Sequence, residues 1–518
     1  MAHPAVAMAP RMAHQWPTPT RPQQYPEPVP PHPTLPDAPR WAALLTGWRR
    51  NPTAPTLQGR LTSTLQTLIS TGQLSPGERL PAERPLAALL GLSRNTVAQA
   101  LDDLAASGWV TRRVGSGTHV SGSAPRTAPL LTLRTPVSPT RPGPHPTQTG
   151  PAELDFTIAV PLLTEPQRQR LREATLDAFQ ESLYHPLGLP DLRACIAEMY
   201  ATQGLPTTPE QIIVTSGAQQ AISLTATTLL RRGDHALLES PTYFGAIDVF
   251  RAAGATLTGV PITPHGVNPD TFMTLARTHA PRLAFLTPTY QNPTGTVLPT
   301  HARARLAAFI HDTHLPTIED DTLTDLSFDP HDHPGSPPPR LSAHAPDAPI
   351  INVGSLSKLY WAGLRVGWMR VPHTLTAPLT QAKTLADFGG SQPAQHAALH
   401  LLQNLPTLRQ ERRNAITPAR DHLAHLLRTH LPDWTFTTPH GGQFLWVQLP
   451  TPTASAYTHH AARHGLRLFP GASMGVDPLP DQYLRLPFTL HPDHIPEAVT
   501  RLSRAWAEFT SRGSDRLA

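Results

Sequence analysis

The chain has 518 residues, a formal net charge of +5 and a sequence pI near 9.6, so two or three domains are expected and an anionic partner such as nucleic acid is compatible. No run approaches eighteen consecutive apolar residues, and the first ten residues lack a basic segment followed by an apolar core, so neither a membrane span nor a signal peptide is expected. The single cysteine, Cys195, excludes an internal disulfide and a cysteine-based zinc site, which fits a reducing, cytoplasmic setting.

Twelve of the 62 prolines fall in the first forty residues, which show no apolar period, so residues 1–40 read as an extended or disordered arm. Residues 41–120 then carry helical periodicity. Leu57, Leu61, Leu65 and Leu68 share one helix face, and Gly72 with Ser75-Pro76-Gly77 breaks it. A short helix is expected over Pro85–Leu90, with Gly91 as its C-cap and Ser93 as the N-cap of the next. That next helix points Val97, Leu101 and Leu104 inward and its first turn, Arg94-Asn95-Thr96, outward.

A short helix, a tight turn and a helix with a polar first turn make a helix-turn-helix, whose second helix suits a DNA major groove. Residues 108–113 and 118–120 read as a two-stranded wing with Gly115 and Gly117 in its turn. Gly115-Ser116-Gly117 is not a phosphate loop, since no helix follows it. The segments Leu80-Pro81-Ala82-Glu83-Arg84, Leu92-Ser93-Arg94-Asn95-Thr96-Val97 and Gly115-Ser116-Gly117-Thr118 resemble the winged-helix domain of GntR-type bacterial repressors. The resemblance implies that Arg84 and Arg94 contact phosphates, that Asn95 and Thr96 lie near bases, and that Gly115 and Gly117 approach the minor groove of an operator. Some relatives have an Arg where this chain has Ala98, which puts one phosphate contact in doubt. Residues 57–120 hold six Arg against four acids, a net charge of +2, so each module should bind DNA only modestly.

A second proline-rich stretch, residues 121–152, reads as a linker whose extended reach is on the order of 100 Å at ~3.1 Å per residue. From residue 153 to about 510, short apolar strands alternate with amphipathic helices, the pattern of a large α/β domain, and residues 511–518 form a tail. Strands are expected at residues 211–215, 235–239, 283–286 and 317–319, with a helix from Ser216-Gly217-Ala218-Gln219 through Leu229. The polar residues of interest fall at the strands' C-terminal ends, where open α/β sheets bind ligands. The cluster His331-Asp332-His333 lies in a proline-rich loop and reads as solvated rather than metal-binding; no metal is expected.

The chain holds two lysines among 42 basic residues of the Lys and Arg type. One, Lys358, follows Ser355 and Ser357 and precedes Arg365. A lysine kept in a chain that otherwise uses arginine points to primary-amine chemistry, a Schiff base with an aldehyde. The flanking hydroxyls and arginine suit the phosphate of pyridoxal 5'-phosphate (PLP).

Residues 153–509 resemble fold-type I aminotransferases, and together with the winged helix the chain resembles MocR-type regulators. This implies a winged helix-turn-helix joined by the linker to a domain with a mainly parallel sheet and an α+β C-terminal subdomain. It implies PLP on Lys358, its phosphate held by Gly217, Ala218, Gln219, Ser355, Ser357 and Arg365, and its ring stacked on Tyr243. Asn292 would bond the phenolic oxygen and Asp320 the pyridine nitrogen. Tyr184, in Tyr184-His185-Pro186-Leu187-Gly188, matches a tyrosine that reaches the phosphate of the second subunit of a homodimer, and Arg485 matches the receptor of a substrate carboxylate. One departure stands out: three residues after Asp320, where related enzymes place a Tyr on the phenolic oxygen, this chain has Leu323. The reading is a PLP-dependent, DNA-binding regulator that senses PLP or an amino-acid aldimine. The alternative is an active aminotransferase for an α-amino acid with an accessory DNA-binding domain; a PLP-free scaffold is disfavoured by the intact lysine and phosphate ligands.

Overall fold

The computed structural model describes residues 37–50, 56–70, 73–74, 77–106, 109–113, 117–120, 153–175, 184–328 and 339–514. Residues 1–36 of the expected arm, the 121–152 linker, Gly115, the His331-Asp332-His333 cluster and the end of the tail lie outside them. Two compact units divide the chain, Met1–Ala128 and Pro129–Ala518.

The first unit packs the helices Leu57–Ser70, Glu83–Leu90 and Arg94–Ala106 against an antiparallel ribbon, β1 (Val110–Arg113) and β2 (Gly117–Val120). Leu61, Leu65, Leu86, Val97, Leu101, Leu104, Val110 and Val120 form its core. The helix expected from Pro85 begins at Glu83, because a proline in the first turn forfeits only an N–H that has no helical acceptor. Gly91 caps it in the left-handed region at φ 61°, and Ser93 Oγ accepts the Thr96 N–H at 3.1 Å. A further helix, Ala38–Leu44, precedes the expected boundary, and Trp41, Leu45 and Trp48 are buried in the same core. One expectation is corrected here. Gly117 is not in the wing's turn but is the first residue of β2, opposite Arg113. Its φ of +92° and a Cβ position 3.0 Å from Arg79 Nε explain the glycine.

In the second unit, β3 (Leu154–Asp155) is followed by eight strands of one sheet: β4 (Ile212–Thr215), β5 (His235–Ser240), β6 (Thr256–Thr263), β7 (Gly266–Val267), β8 (Leu283–Leu286), β9 (Thr317–Asp320), β10 (Ile350–Ser355) and β11 (Gly367–Arg370). Their order is β4-β11-β10-β9-β8-β5-β6-β7, parallel from β10 to β6, with β11 and the edge strand β7 antiparallel to their neighbours. β4, β8, β9 and β10 are buried along their whole length, which is why they read as continuous apolar runs rather than alternations. The helix Ala218–Leu229 ends where expected. A smaller part follows: β12 (Phe444–Gln448), β13 (Leu466–Arg467), β14 (Phe469–Pro470) and β15 (Tyr483–Pro487), with β12-β15-β14 antiparallel and β13 beside β3. The helix Leu405–His430 leads into it, and Ile495–Ser514 closes it, running past residue 510. Loops leaving β4, β5, β8, β9 and β10 converge on one edge of the large sheet, the edge where the site lies.

Candidate functional site

β10 ends at Ser355, whose hydroxyl accepts the Ser357 N–H at 3.2 Å and lies 3.2 Å from the Val366 carbonyl and 3.0 Å from Ser357 Oγ. This local turn sets the direction of Lys358 three residues on. Lys358 Nζ donates to the Ala159 carbonyl at 2.8 Å, and Gln443 Nε2 donates to the same oxygen at 3.2 Å. Burial, then the charges of Arg485 and Arg412, push the amine's pKa down to about 8, while Asp320 pulls the other way. Roughly a tenth of such amines are neutral at pH 7, against far fewer for a solvated lysine.

The three acids at the end of β9 separate by the two-residue period of a strand. Glu319 accepts from Leu341 N (2.7 Å), Ser342 N (2.9 Å) and Asn352 Nδ2 (2.9 Å), and Asp321 from Arg340 Nε (2.8 Å). Asp320 instead accepts the Thr322 N–H at 2.9 Å and feels the charge of Lys358. Burial raises its pKa; the Thr322 bonds and Lys358 oppose that shift. Glu239, at the end of β5, is driven to about 8 by burial and shares its carboxylate with Thr287 N and Gln291 Nε2, both at 3.1 Å. Beyond β8, Asn292 keeps a buried Oδ1 that no group among the described residues partners.

After β4 the chain turns at Gly217 (φ +95°) into the helix Ala218–Leu229, leaving the first N–H groups without helical acceptors. A Cβ on Gly217 would sit 3.2 Å from the Arg365 guanidinium, and one on Gly367 would sit 2.8 Å from Gly217 Cα, so both positions require glycine. Arg365, in the left-handed region at φ 54°, donates to the Ser216 carbonyl. Gln219 Oε1 accepts the Tyr243 hydroxyl at 2.9 Å, tying the aromatic after β5 to this helix start; burial raises the tyrosine to about 12. The turn is braced from below: Ser216 N donates to Gln220 Oε1 (2.8 Å) and Gln220 Nε2 to Asp387 (2.8 Å). Asp387 also takes the ammonium of Lys383, the chain's other lysine, which is fully buried.

Arg485, on β15, lies between the Phe444 and Phe469 rings at 4.5 and 4.4 Å, and its Nη2 donates to the Thr157 carbonyl at 2.8 Å. Burial lowers its pKa to about 10, and its Nε has no partner among the described residues. Lys358 feels the charges of Arg485, Asp320 and Arg365, and Tyr243 those of Asp320, Arg485 and Arg365. Tyr184 does not join them: its side chain is 84% exposed. Leu323 is buried in the same apolar cluster as Tyr290, Leu326 and Phe328. Six participants carried no signal in the sequence: the carbonyls of Thr157 and Ala159, the Gln443 amide, the Glu239–Gln291 pair and Arg412. Backbone carbonyls have no residue type, and Arg412 lies in a helix crowded with other arginines.

In the first unit, Arg84, Arg94 and Asn95 are exposed and Thr96 half-buried, its hydroxyl 2.8 Å from Ser93 Oγ. Arg94 pairs with Glu83 at 2.9 Å, and Arg112 of the wing pairs with Glu83 and Asp102. Hydrogen bonds from Arg94 lead in holding the Glu83 carboxyl below its usual range. Among the described residues, no helix is long and apolar enough to cross a membrane.

The sequence matches the family "Aminotransferase class I and II" over residues 155–502 and "Bacterial regulatory proteins, gntR family" over residues 57–120. It is 32% identical over 322 residues to the 2-aminoadipate transaminase of Thermus thermophilus, covering 61% of this chain and 79% of that protein. It is 31% identical over 403 residues to the HTH-type pyridoxine biosynthesis transcriptional regulator PdxR of Corynebacterium glutamicum, covering 74% and 82%. Among solved structures, the Thermus thermophilus α-aminoadipate aminotransferase LysN, complexed with N-(5'-phosphopyridoxyl)-L-leucine, superposes with a TM-score of 0.64 at 28% identity, covering 69% of this chain and 93% of that one.

Proposed function

Since this chain belongs to the class I and II aminotransferase family and carries a gntR-type domain ahead of it, the MocR-type arrangement, we propose that it is a transcriptional regulator that holds PLP on Lys358 and responds to PLP or an α-amino acid. The observation that carries the reading is the half-buried amine of Lys358, held by the Ala159 carbonyl within reach of the buried carboxylate of Asp320, which has no arginine partner among the described residues, in a chain that also has a winged helix.

The residues present fit the cofactor. Asn292 has buried, unmet hydrogen-bonding capacity, and Gly217 opens a helix in a cradle that a Cβ would fill. When bound, PLP supplies an aldehyde that condenses with amines and a protonated ring that takes up electron density. Lys358 provides the amine, and its depressed pKa keeps a neutral, nucleophilic fraction near pH 7. Asp320 provides a buried anion for the ring nitrogen, and Tyr243 the face beneath the ring. Gly217, Ala218 and Gln219 provide N–H donors and the helix dipole for the phosphate, with Ser355, Ser357 and Arg365 beside them. Arg485 provides a planar fork for an α-carboxylate and, walled by two phenylalanines, excludes water from it. Exposed Arg84, Arg94 and Asn95 suit an operator's phosphates and base edges.

A homodimer is part of this reading. Tyr184, Leu385 and Phe388 are large and exposed, and a Cβ on Gly389 would lie 2.6 Å from the His185 carbonyl, so these segments adjoin. That patch borders the Lys383–Asp387–Gln220 brace of the phosphate turn, which supports Tyr184 serving the phosphate of a second copy. The alternative, full transaminase turnover with an accessory DNA-binding domain, draws on the intact Arg485. The buried Leu323 favours the regulator, because it leaves Asn292 as the main partner of the phenolic oxygen.

The test pairs two measurements on the full chain: PLP-dependent mobility shift on its own upstream DNA, and single-turnover conversion to pyridoxamine phosphate with candidate amino acids. DNA binding that responds to PLP, with at most partial turnover, is expected; robust multiple turnover without DNA binding overturns the regulator. Lys358→Ala should abolish the absorbance of the lysine-linked cofactor, and its survival would show the site to be misassigned.

A further inference from the structure

Arg412 stands in the second turn of the helix Leu405–His430 with only 8% of its surface exposed. Its Nε and Nη2 are buried without a hydrogen-bond partner, and no carboxylate among the described residues pairs with it. The neighbouring acid is already taken: Glu411 accepts Arg170 through both oxygens, at 2.8 and 3.2 Å. A long cationic side chain with no partner normally extends its head to water. Arg412 keeps its head inside, and burial alone lowers its pKa to about 10.

It lines a cavity of roughly 420 Å³ with Pro161, Leu162, Arg170, Leu359 and Tyr360. Three of these wall residues tie the cavity to the lysine. Leu359 follows Lys358 directly, and the strap that gives Lys358 its acceptor at Ala159 continues as Pro161 and Leu162. The charge of Arg412 is felt at Lys358, next in weight after that of Arg485. Two buried guanidiniums with unmet donors therefore act on the amine, Arg485 from the middle of β15 and Arg412 from the long helix.

We propose that Arg412 receives a second anionic group of the effector, so that the unit selects α-amino acids with an acidic side chain, their α-carboxylate going to Arg485. This rests on the reading of the unit as an amino-acid-responsive PLP site. A donor fork held unpaired out of water is matched by a carboxylate and left uncompensated by an amide or alkyl group.

The test uses the full chain loaded with PLP and follows the cofactor's absorbance on titration with two matched pairs, glutamate against glutamine and aspartate against asparagine. In at least one pair the acid should bind about tenfold more tightly or better, the scale of one charge-assisted hydrogen bond. Arg412→Met should erase that preference without weakening the amide, and Arg412→Lys should keep part of it. Arg412→Met should also melt, without ligand, no lower than the parent, because a buried unpaired charge is removed. A markedly lower melting temperature in both variants would make Arg412 a structural residue and overturn the proposal. Acid and amide binding alike in the parent, or a preference that survives Arg412→Met, would also overturn it. If both pairs bind but without preference, only this inference falls; if no amino acid moves the absorbance, the amino-acid-sensing reading falls with it.

Discussion

The two units treat their arginines in opposite ways. In the winged helix, Arg94 and Arg112 are solvated and share Glu83, with Asp102 on the far side. In the larger unit, Arg412 and Arg485 are buried with donors unmet, beside a lysine pushed far from its ordinary pKa. The difference follows from the ligand. A duplex offers a dense line of phosphates at the surface, so a side chain that reads it can rest on a neighbouring acid and change partner at little desolvation cost. A small molecule offers two or three polar groups once, so its receptors must already be aimed and dry, and the fold carries them unsatisfied until it arrives.

That contrast can be broken most forcefully at Asp320. If its buried carboxylate is the cofactor ring's partner, Asp320→Asn removes one half of a desolvated charge pair. PLP should then bind on the order of a hundredfold more weakly, a loss of about 3 kcal/mol, by fluorescence titration. An unchanged affinity would mean the buried acid serves something else. A smaller effect is expected at Arg94. Arg94→Ala should weaken operator and random DNA alike, lower the slope of log affinity against log salt by about one, and change fold stability by less than about 1 kcal/mol. Loss confined to the operator would make Arg94 a base reader instead.

The smallest effect concerns the cost of keeping Lys358 ready. Its folded pKa of about 8 lies below the value of 10.5 for a free amine. Below pH 8 the amine is charged in both folded and unfolded chains, and the burial penalty is present in full. Between about 8 and 10.5 the unfolded chain binds the extra proton, so stability rises with pH. The melting temperature of the cofactor-free protein should therefore climb from pH 7.5 to 9.5 relative to Lys358→Ala; parallel curves would show the amine to be solvated.

Much of this was legible in the sequence because backbone and side chain agreed locally. The helix over residues 218–229, the caps at Gly91 and Ser93, the strands ending at Thr215 and Leu286, and, to within one residue, the strand that ends at Asp320 follow from apolar runs and punctuation. Asp320 could be chosen over Asp321 by resemblance, and the alternation of β9 supplies the physical reason. What stayed hidden depends on distant contacts. Trp41 and Trp48 fall at the start of the region read as the winged-helix domain, but no local pattern in the sequence put their rings in its core. Gly117 looked like a turn glycine, but its need comes from Arg79, nearly forty positions away in the sequence. Arg412 differs from its helical neighbours only in what the strap at residues 159–162 does to its surroundings.

The sparing use of lysine has a further chemical consequence. Lys383 is sealed in its pair with Asp387 and Lys358 is half-buried on the Ala159 carbonyl, so the one side-chain amine open to reagents is that of the site itself. An aldehyde cofactor normally decorates surface lysines wherever it finds them; this chain offers none outside the site. Borohydride trapping should thus report occupancy of one position without background, and amine-directed crosslinkers or labels should leave the folded protein almost untouched.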